Sequence, residues 1–160
     1  MRPVGPVGRA SGRAVDVRSM RPYADYRDDT LTTFTESSGD AYARFRLRIA
    51  ELEESLSWVR RILGGWHPQV VPGCATDAPW DSGTAPAHGD AVGVVEAPRG
   101  LLAYSLELDP ESGRITRLGV ATPSQRNWMV VPATMANNNI LQDFPIIDAS
   151  FALSVAGWDG

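Results

Sequence analysis

From Asp40 onward the apolar residues Tyr42, Phe45, Ile49, Leu52, Leu56, Val59 and Leu63 recur at alternating steps of three and four, which places them on one face of a helix. Asp40 suits the N-cap, Gly64-Gly65 suits the end, and Arg44, Arg48, Glu51, Glu54, Arg60 and Arg61 populate the other faces. A helix over residues 40–64, of about 24 residues at a 1.5 Å rise, is about 36 Å long, a length that suits a bundle. Its apolar stripe is expected to be that bundle's packed core.

A second pattern begins at Val92, where the apolar runs Val92–Val95 and Leu101–Leu108 flank Pro98-Arg99-Gly100. Asp109-Pro-Glu-Ser-Gly113 reads as a turn and Arg114–Ala121 as a further strand, so the three runs predict a small antiparallel unit. Thr122, followed by Pro123 at the first helical position, predicts a helix start, and the run Asn137–Asn139 its end. The closing stretch Asp143–Gly160 is apolar almost throughout, so it is expected to pack on the core or to enter a partner interface. The remaining segments lack period. Residues 1–39, rich in Gly, Pro, Ser and Asp, read as a connecting segment or a disordered tail. Residues 65–91 read as a Pro/Gly-rich loop or insertion. The whole is an α+β chain in which a long bundle helix and further C-terminal helices in residues 92–160 accompany the β-hairpin unit.

A length of 160 residues fits one domain or part of a larger one. The net charge of −4 gives no footprint for nucleic acid, and no apolar run approaches the roughly twenty residues that span a bilayer. The N-terminal stretch carries no apolar leader, so the chain is expected to be neither secreted nor itself transmembrane. Cys74 is the single cysteine, which excludes an internal disulfide framework and a four-cysteine metal site. His67 and His88 with Cys74 invite a metal reading, but their spacing matches no ligand pattern.

The residue with the clearest chemical presentation is Arg99. Pro98 stiffens the loop, Gly100 allows a turn or a close approach, and the guanidinium suits an anionic or carbonyl partner. Considered alone, a Pro-Arg-Gly tripeptide is most often a turn with a solvated arginine.

Several stretches, in order, resemble the large subunit of nickel–iron hydrogenases, in particular the membrane-bound energy-converting branch and its relative, the D-type subunit of NADH:quinone oxidoreductase. They are Gly5-Pro-Val-Gly-Arg-Ala-Ser-Gly12 with Asp16-Val-Arg18 and Pro22–Tyr26, then Gly39–Phe45, Glu96-Ala-Pro-Arg-Gly100, Thr122-Pro-Ser through Asn127, and Asp143-Phe-Pro-Ile-Ile with Ser150-Phe151. The resemblance covers the whole chain but only the C-terminal half of the family's length, so the fold is expected to be part of a larger subunit. It implies an oxidoreductase component of a membrane-associated electron-transport complex, not active alone, peripheral on the cytoplasmic side. The implied partners are an iron–sulfur small subunit carrying the cluster, other subunits of the complex, and an N-terminal half on another chain or lost from a truncated gene. Pro98 and Arg99 take the place of the loop that hydrogen-bonds the metal's ligands, in a vestigial pocket. Ser154 and Gly157 stand where the family has metal-binding cysteines. Since soft thiolates hold such a centre, no cofactor is expected in this chain and the nickel–iron site is expected to be lost. Quinone reduction by this chain alone is not expected either, because the family's quinone contacts lie mainly in the other half. Glu96 and Asp159 are the carboxylates of interest for proton-linked coupling. The alternative is a non-catalytic scaffold subunit or a gene fragment.

Overall fold

The computed structural model describes residues 2–65, 89–136 and 139–158. Its frame is the helix α3, Ala41–Gly65. Asp40 caps it, accepting the Ala43 N–H at 2.7 Å, as the short acceptor side chains favoured at N-caps do.

The helix turns the opposite way from its periodicity. Ala43 and Leu47 are buried and pack with Ala10 and Phe34, while all seven residues of the apolar stripe, Tyr42 to Leu63, remain 42–67% exposed. Within this chain, therefore, the stripe is not packed core. The physical reason is that a 3.6-residue period says that a face is to be covered but not what covers it. Here the small and cationic face, Ala43, Arg44 and Leu47, receives the chain's own segments, and the broad apolar face is left over. Leu47→Ala should accordingly cost about 2–5 kcal/mol in urea unfolding of the chain by itself, whereas Leu56→Ala should stay within about 0.5 kcal/mol.

Residues 2–39 run over the buried face. Two short helices, α1 (Gly5–Arg9) and α2 (Val17–Met20), and a 3₁₀ turn at Ala24–Arg27 punctuate them, and Val4, Val7, Ala10, Val17 and Leu31 are buried. A disordered tail is ruled out by that burial. Farther along α3, Trp58 donates Nε1–H to the Asp29 carbonyl at 2.7 Å and stacks on Tyr26 at 4.6 Å.

The strands β1 (Gly89–Ala97), β2 (Gly100–Leu108) and β3 (Ile115–Ala121) form one antiparallel sheet in that order. Ala97 pairs with Gly100, so Pro98 and Arg99 are the two loop residues of the first hairpin. β1 thus reaches back to Gly89, into the stretch read as loop; Gly100 has φ +125°, open to glycine alone at low cost. After the sheet, Thr122 and Gln125 form a reciprocal capping box that starts α4, Pro123–Trp128. The helices α5 (Val131–Met135) and α6 (Phe144–Phe151) follow. Val7, Val131, Ile147 and Phe151 make the second core cluster, with Trp128, Met135 and Leu153 against it. The C-terminal segment therefore packs on the core through Ile147 and Phe151 while Ile146 and Val155 stay exposed.

Candidate functional site

The hairpin loop at Pro98-Arg99 is seated on α1 by two glycines. A Cβ built on Gly5 would fall 2.4 Å from the Arg99 carbonyl oxygen and from Gly100 Cα, and one on Gly100 would fall 2.6 Å from Gly5 N. The two backbones touch directly. Asn127, wholly buried, completes the junction: its Oδ1 accepts the Val4 N–H at 3.0 Å, and its Nδ2 donates to the Val4 carbonyl at 3.2 Å and the Arg99 carbonyl at 3.4 Å. One amide side chain thus satisfies backbone groups of both elements, as buried polar groups require.

Beneath this junction lies an ionic cluster centred on Arg9, which is 2% exposed. Arg9 donates Nε–H to Glu51 at 2.6 Å and Nη1–H to Glu96 at 2.8 Å and to the Val15 carbonyl at 3.0 Å, with Asp16 at 3.3 Å. Asp16 is gripped at both oxygens by Arg18, at 3.0 and 2.7 Å. Glu96 also accepts the Val17 N–H at 3.2 Å, and its own N–H donates to the Tyr23 hydroxyl at 3.3 Å. Two arginines and three carboxylates leave a formal charge of +2 − 3 = −1 in a low-dielectric setting. A cleft of about 420 Å³ opens beside the cluster, with Arg18, Tyr26, Arg48, Glu51 and Pro98 among its walls.

Burial pushes the Glu96 carboxyl above its ordinary value of 4.5, because Arg9, divided among three carboxylates, offsets only part of the desolvation. Burial also pushes Asp16 upward, but the Arg18 hydrogen bonds and the Arg9 and Arg18 charges overcome it and hold that carboxyl below its ordinary range. The two groups have opposite linkage. Glu96 contributes stability that is fully present below its unfolded value and is lost as pH rises through its folded one. Asp16 contributes above its unfolded value, and that contribution is lost on acidification. In urea unfolding as a function of pH, Glu96→Gln should therefore lose less stability than the parent as pH rises from about 4.5; parallel curves would show that Glu96 holds no extra proton when folded.

On the other side of the junction, arginines gather at the C-terminal end of α6. Arg44 donates to the Ser150 hydroxyl at 2.9 and 2.7 Å and to the Gly39 carbonyl at 2.6 Å, with its guanidinium 4.3 Å from the Phe151 ring centre. Arg48 donates to the Ser150 and Phe151 carbonyls, and Arg99 Nε–H to the Ala152 carbonyl. Burial, with repulsion between neighbouring arginines, holds Arg44 and Arg48 below the usual guanidinium range.

Pro98 and Arg99 are exposed in the loop, whereas the Glu96 side chain is 3% exposed and points into the Arg9 cluster. Arg99 and Glu96 thus face different surroundings. Arg99 instead reaches the segment just ahead of Ser154. There Ser154 Oγ accepts the Gly157 N–H at 3.2 Å, Ser124 Oγ accepts the Ser154 N–H at 3.3 Å, and Thr122 donates to the Gly157 carbonyl. A Cβ on Gly157 would lie 3.4 Å from Ser154 Cβ, so the two positions adjoin. Their chemistry does not fit a thiolate-held nickel–iron centre: one side chain is a hydroxyl already used by the backbone, and the other is absent. Among the described residues no group of three or more His, Cys, Asp or Glu could hold a metal ion. His67, Cys74, His88 and Asp159 lie outside the described residues. No helix of the described residues is long and apolar enough to cross a membrane.

Arg9, Asp16 and Asn127 were hidden from residue-by-residue reading. Glycine and proline around Arg9 look like a loop, and Arg9 and Asn127 gain meaning only from partners 87 and 123 positions away. Asp16 gains its role only once Arg9 is buried beside it. The available signal was the order of Gly5–Gly12 and Asp16–Arg18 relative to Glu96–Gly100 and to Thr122–Asn127.

Comparison with known proteins adds to this geometry. The model of the respiratory-chain NADH dehydrogenase 49 Kd subunit family matches residues 1–73. The chain is 34% identical over 146 residues to the carbon monoxide-induced hydrogenase of Rhodospirillum rubrum, covering 90% of this chain and 37% of that protein. It is 31% identical over 169 residues to the second D-type NADH-quinone oxidoreductase subunit of Roseiflexus sp. (strain RS-1), covering 91% and 40%. A chain in the structure of the membrane-bound sulfane sulfur reductase, an archaeal respiratory membrane complex, superposes with a TM-score of 0.81 at 26% identity over 99% of this chain and 42% of that one. The chain thus spans about two fifths of the length of the relatives it matches.

Proposed function

Because this chain is a protein of the large-subunit kind shared by hydrogenases and NADH-quinone oxidoreductases, we propose that it serves as the C-terminal component of such a subunit in a membrane-associated redox complex. It takes part in electron transfer there without a nickel–iron centre of its own. Its partners are an iron–sulfur small subunit and further subunits of the complex. Its place is at the cytoplasmic face of the membrane, held through those partners. In this reading Arg99 lines the wall of the former metal pocket, and Glu96 is the carboxylate that links proton uptake to the state of the Pro98-Arg99 loop through the Arg9 cluster.

The observation that carries the proposal is the outward apolar stripe of α3. Seven large apolar side chains are each 42–67% exposed along one face. Burying the exposed half of each, at about 2 kcal/mol per fully buried side chain, would release on the order of 7 kcal/mol. That is comparable to the whole stability of an ordinary domain, about 5–15 kcal/mol, so the face is built to be covered.

A second reading, a non-catalytic scaffold subunit, draws on a specific contact: Arg99 commits its Nε–H to the Ala152 carbonyl. The two separate in one experiment. In complex isolated from the membranes of the source organism, Arg99→Ala should slow electron transfer to a quinone analogue about tenfold while subunit composition is unchanged. An unchanged rate would assign the chain to the scaffold.

A further inference from the structure

The turn at Val155–Trp158 folds back on α4. The Trp158 N–H donates to the Val155 carbonyl at 2.8 Å, and the Gln125 side-chain amide donates to the Trp158 carbonyl at 3.1 Å. Two adjoining hollows result. One, of about 390 Å³, is walled by Trp128, Met129, Pro132, Val155 and Trp158. The other, of about 500 Å³, shares Met129 and Trp158 with it and adds Ala121, Gln125 and Arg126. Each falls in the range of small-ligand sites, about 300–1,000 Å³. Trp128 is half-buried against the second core cluster, so the core fixes one wall, while Met129 and Trp158 are 56% and 45% exposed.

The polar side chains around the hollows sort by direction. Gln125 is engaged at both ends, its Oε1 accepting the Thr122 N–H at 3.2 Å and its Nε2 donating to Trp158. What remains are donors. Trp58 gives its indole N–H to the Asp29 carbonyl at 2.7 Å, but those of Trp128 and Trp158 meet no acceptor among the described residues. Arg126 has no hydrogen-bonded partner among them either, and no carboxylate among them within 4.0 Å. An indole N–H and a guanidinium can only donate. A wholly apolar occupant would take water from these groups and leave them unpaired. A cation is attracted by indole faces but would meet Arg126 and no acidic residue in either lining. An apolar chain that ends in an anionic acceptor suits both the walls and the donors.

We propose that the two hollows form one binding site for an acyl-chain anion, a fatty acid or an anionic phospholipid, whose chain lies on Trp128, Met129 and Trp158 and whose head pairs with Arg126. The site shares no residue with the Arg9 cluster or the Pro98-Arg99 loop, and the inference does not rest on the redox reading of the chain.

The test is a titration of the full chain followed by two-dimensional nitrogen–proton NMR of its indole N–H groups, with octanoate, decanoate and octanol as probes. The expected result is that the Trp128 and Trp158 resonances shift while that of Trp58 stays in place. Decanoate should bind more tightly than octanoate by about fourfold per added methylene, and octanoate more tightly than octanol by about tenfold. Arg126→Gln should abolish the preference for the acid and leave octanol unchanged. Dihexanoylphosphatidylglycerol, titrated in parallel, separates the two sources of the anion: the more tightly bound of the phospholipid and the free acids identifies the head that the site accepts. Equal binding of octanoate and octanol would overturn the anionic head, as would an acid preference that survives Arg126→Gln. Unshifted Trp128 and Trp158 resonances, or an equal shift of Trp58, would overturn the site itself. The indole shifts of the unsubstituted chain decide that last point even where Arg126→Gln disturbs folding.

Discussion

Arg9→Met is expected to lower the unfolding free energy of the chain by about 3–5 kcal/mol, because it leaves a buried group of carboxylates without its central cation. Arg9 is 2% exposed and stands between Glu51, Glu96 and Asp16 at 2.6, 2.8 and 3.3 Å. With the guanidinium gone, the Glu96 carboxylate would keep the Val17 N–H, and the desolvation that already raises it would lose its main opposition. The loss should therefore be smallest in acid, where Glu96 is protonated, and should grow as pH rises. Adding Glu96→Gln should restore part of it at neutral pH, since a neutral amide tolerates the site better than an unpaired carboxylate. The exposed pair Arg61 and Asp29, at 2.8 Å, is the contrast: Arg61→Met should barely move the urea midpoint, because solvent screens such a pair. Equal losses for Arg9→Met and Arg61→Met would mean that the cluster is not the clamp between α1, α2, α3 and β1 described above.

Gly5→Ala is expected to cost about 2–4 kcal/mol and to release the Pro98-Arg99 loop from α1. Two effects combine. At φ +60° an alanine is strained on its own. Its Cβ would also meet the Arg99 carbonyl oxygen and Gly100 Cα at 2.4 Å, backbone atoms that cannot swing aside like the end of a long side chain. The junction would have to open, and the Asn127 amide would lose the geometry with which it bridges Val4 and Arg99. Gly93→Ala has nothing within 4 Å of its added methyl group and should be almost neutral. Urea unfolding gives both numbers, and hydrogen exchange of the Val4 amide reports the junction: faster exchange in Gly5→Ala but not in Gly93→Ala is the expected pattern.

The contrast between these two glycines also marks what could be read in the sequence. Local rules carried the elements: the three-four spacing from Tyr42 to Leu63 specified a helix, Thr122 with Pro123 specified the start of α4, and the flanked Pro98-Arg99-Gly100 specified a hairpin loop. These signals lie within a few residues of one another, where backbone geometry alone decides. The direction in which α3 faces was not legible, because its apolar stripe looks the same whether it meets its own chain or another. The ionic cluster was not legible for a related reason. Arg9, Asp16, Glu51 and Glu96 are ordinary charged residues until the fold joins them across up to 87 positions, and a charge in a sequence carries no mark of burial. Arg99 was visible as a presented residue, but its bond to Ala152 depends on the last turn of α6, whose position no local pattern fixes. That Ser154 and Gly157 stand where the resemblance places cysteines was read from the motif; that the two positions adjoin came from the fold.

The proposed cover over the apolar face of α3 is tested without substitution by hydroxyl-radical footprinting of Leu52, Leu56 and Val59. The chain by itself and the complex isolated from the membranes of its source organism would be labelled in parallel, with exposed Ile115 on the sheet as internal reference. If another polypeptide covers α3, oxidation of the three residues should fall about tenfold in the complex relative to Ile115. Equal labelling of the stripe in both samples would contradict the assignment of that face to a partner.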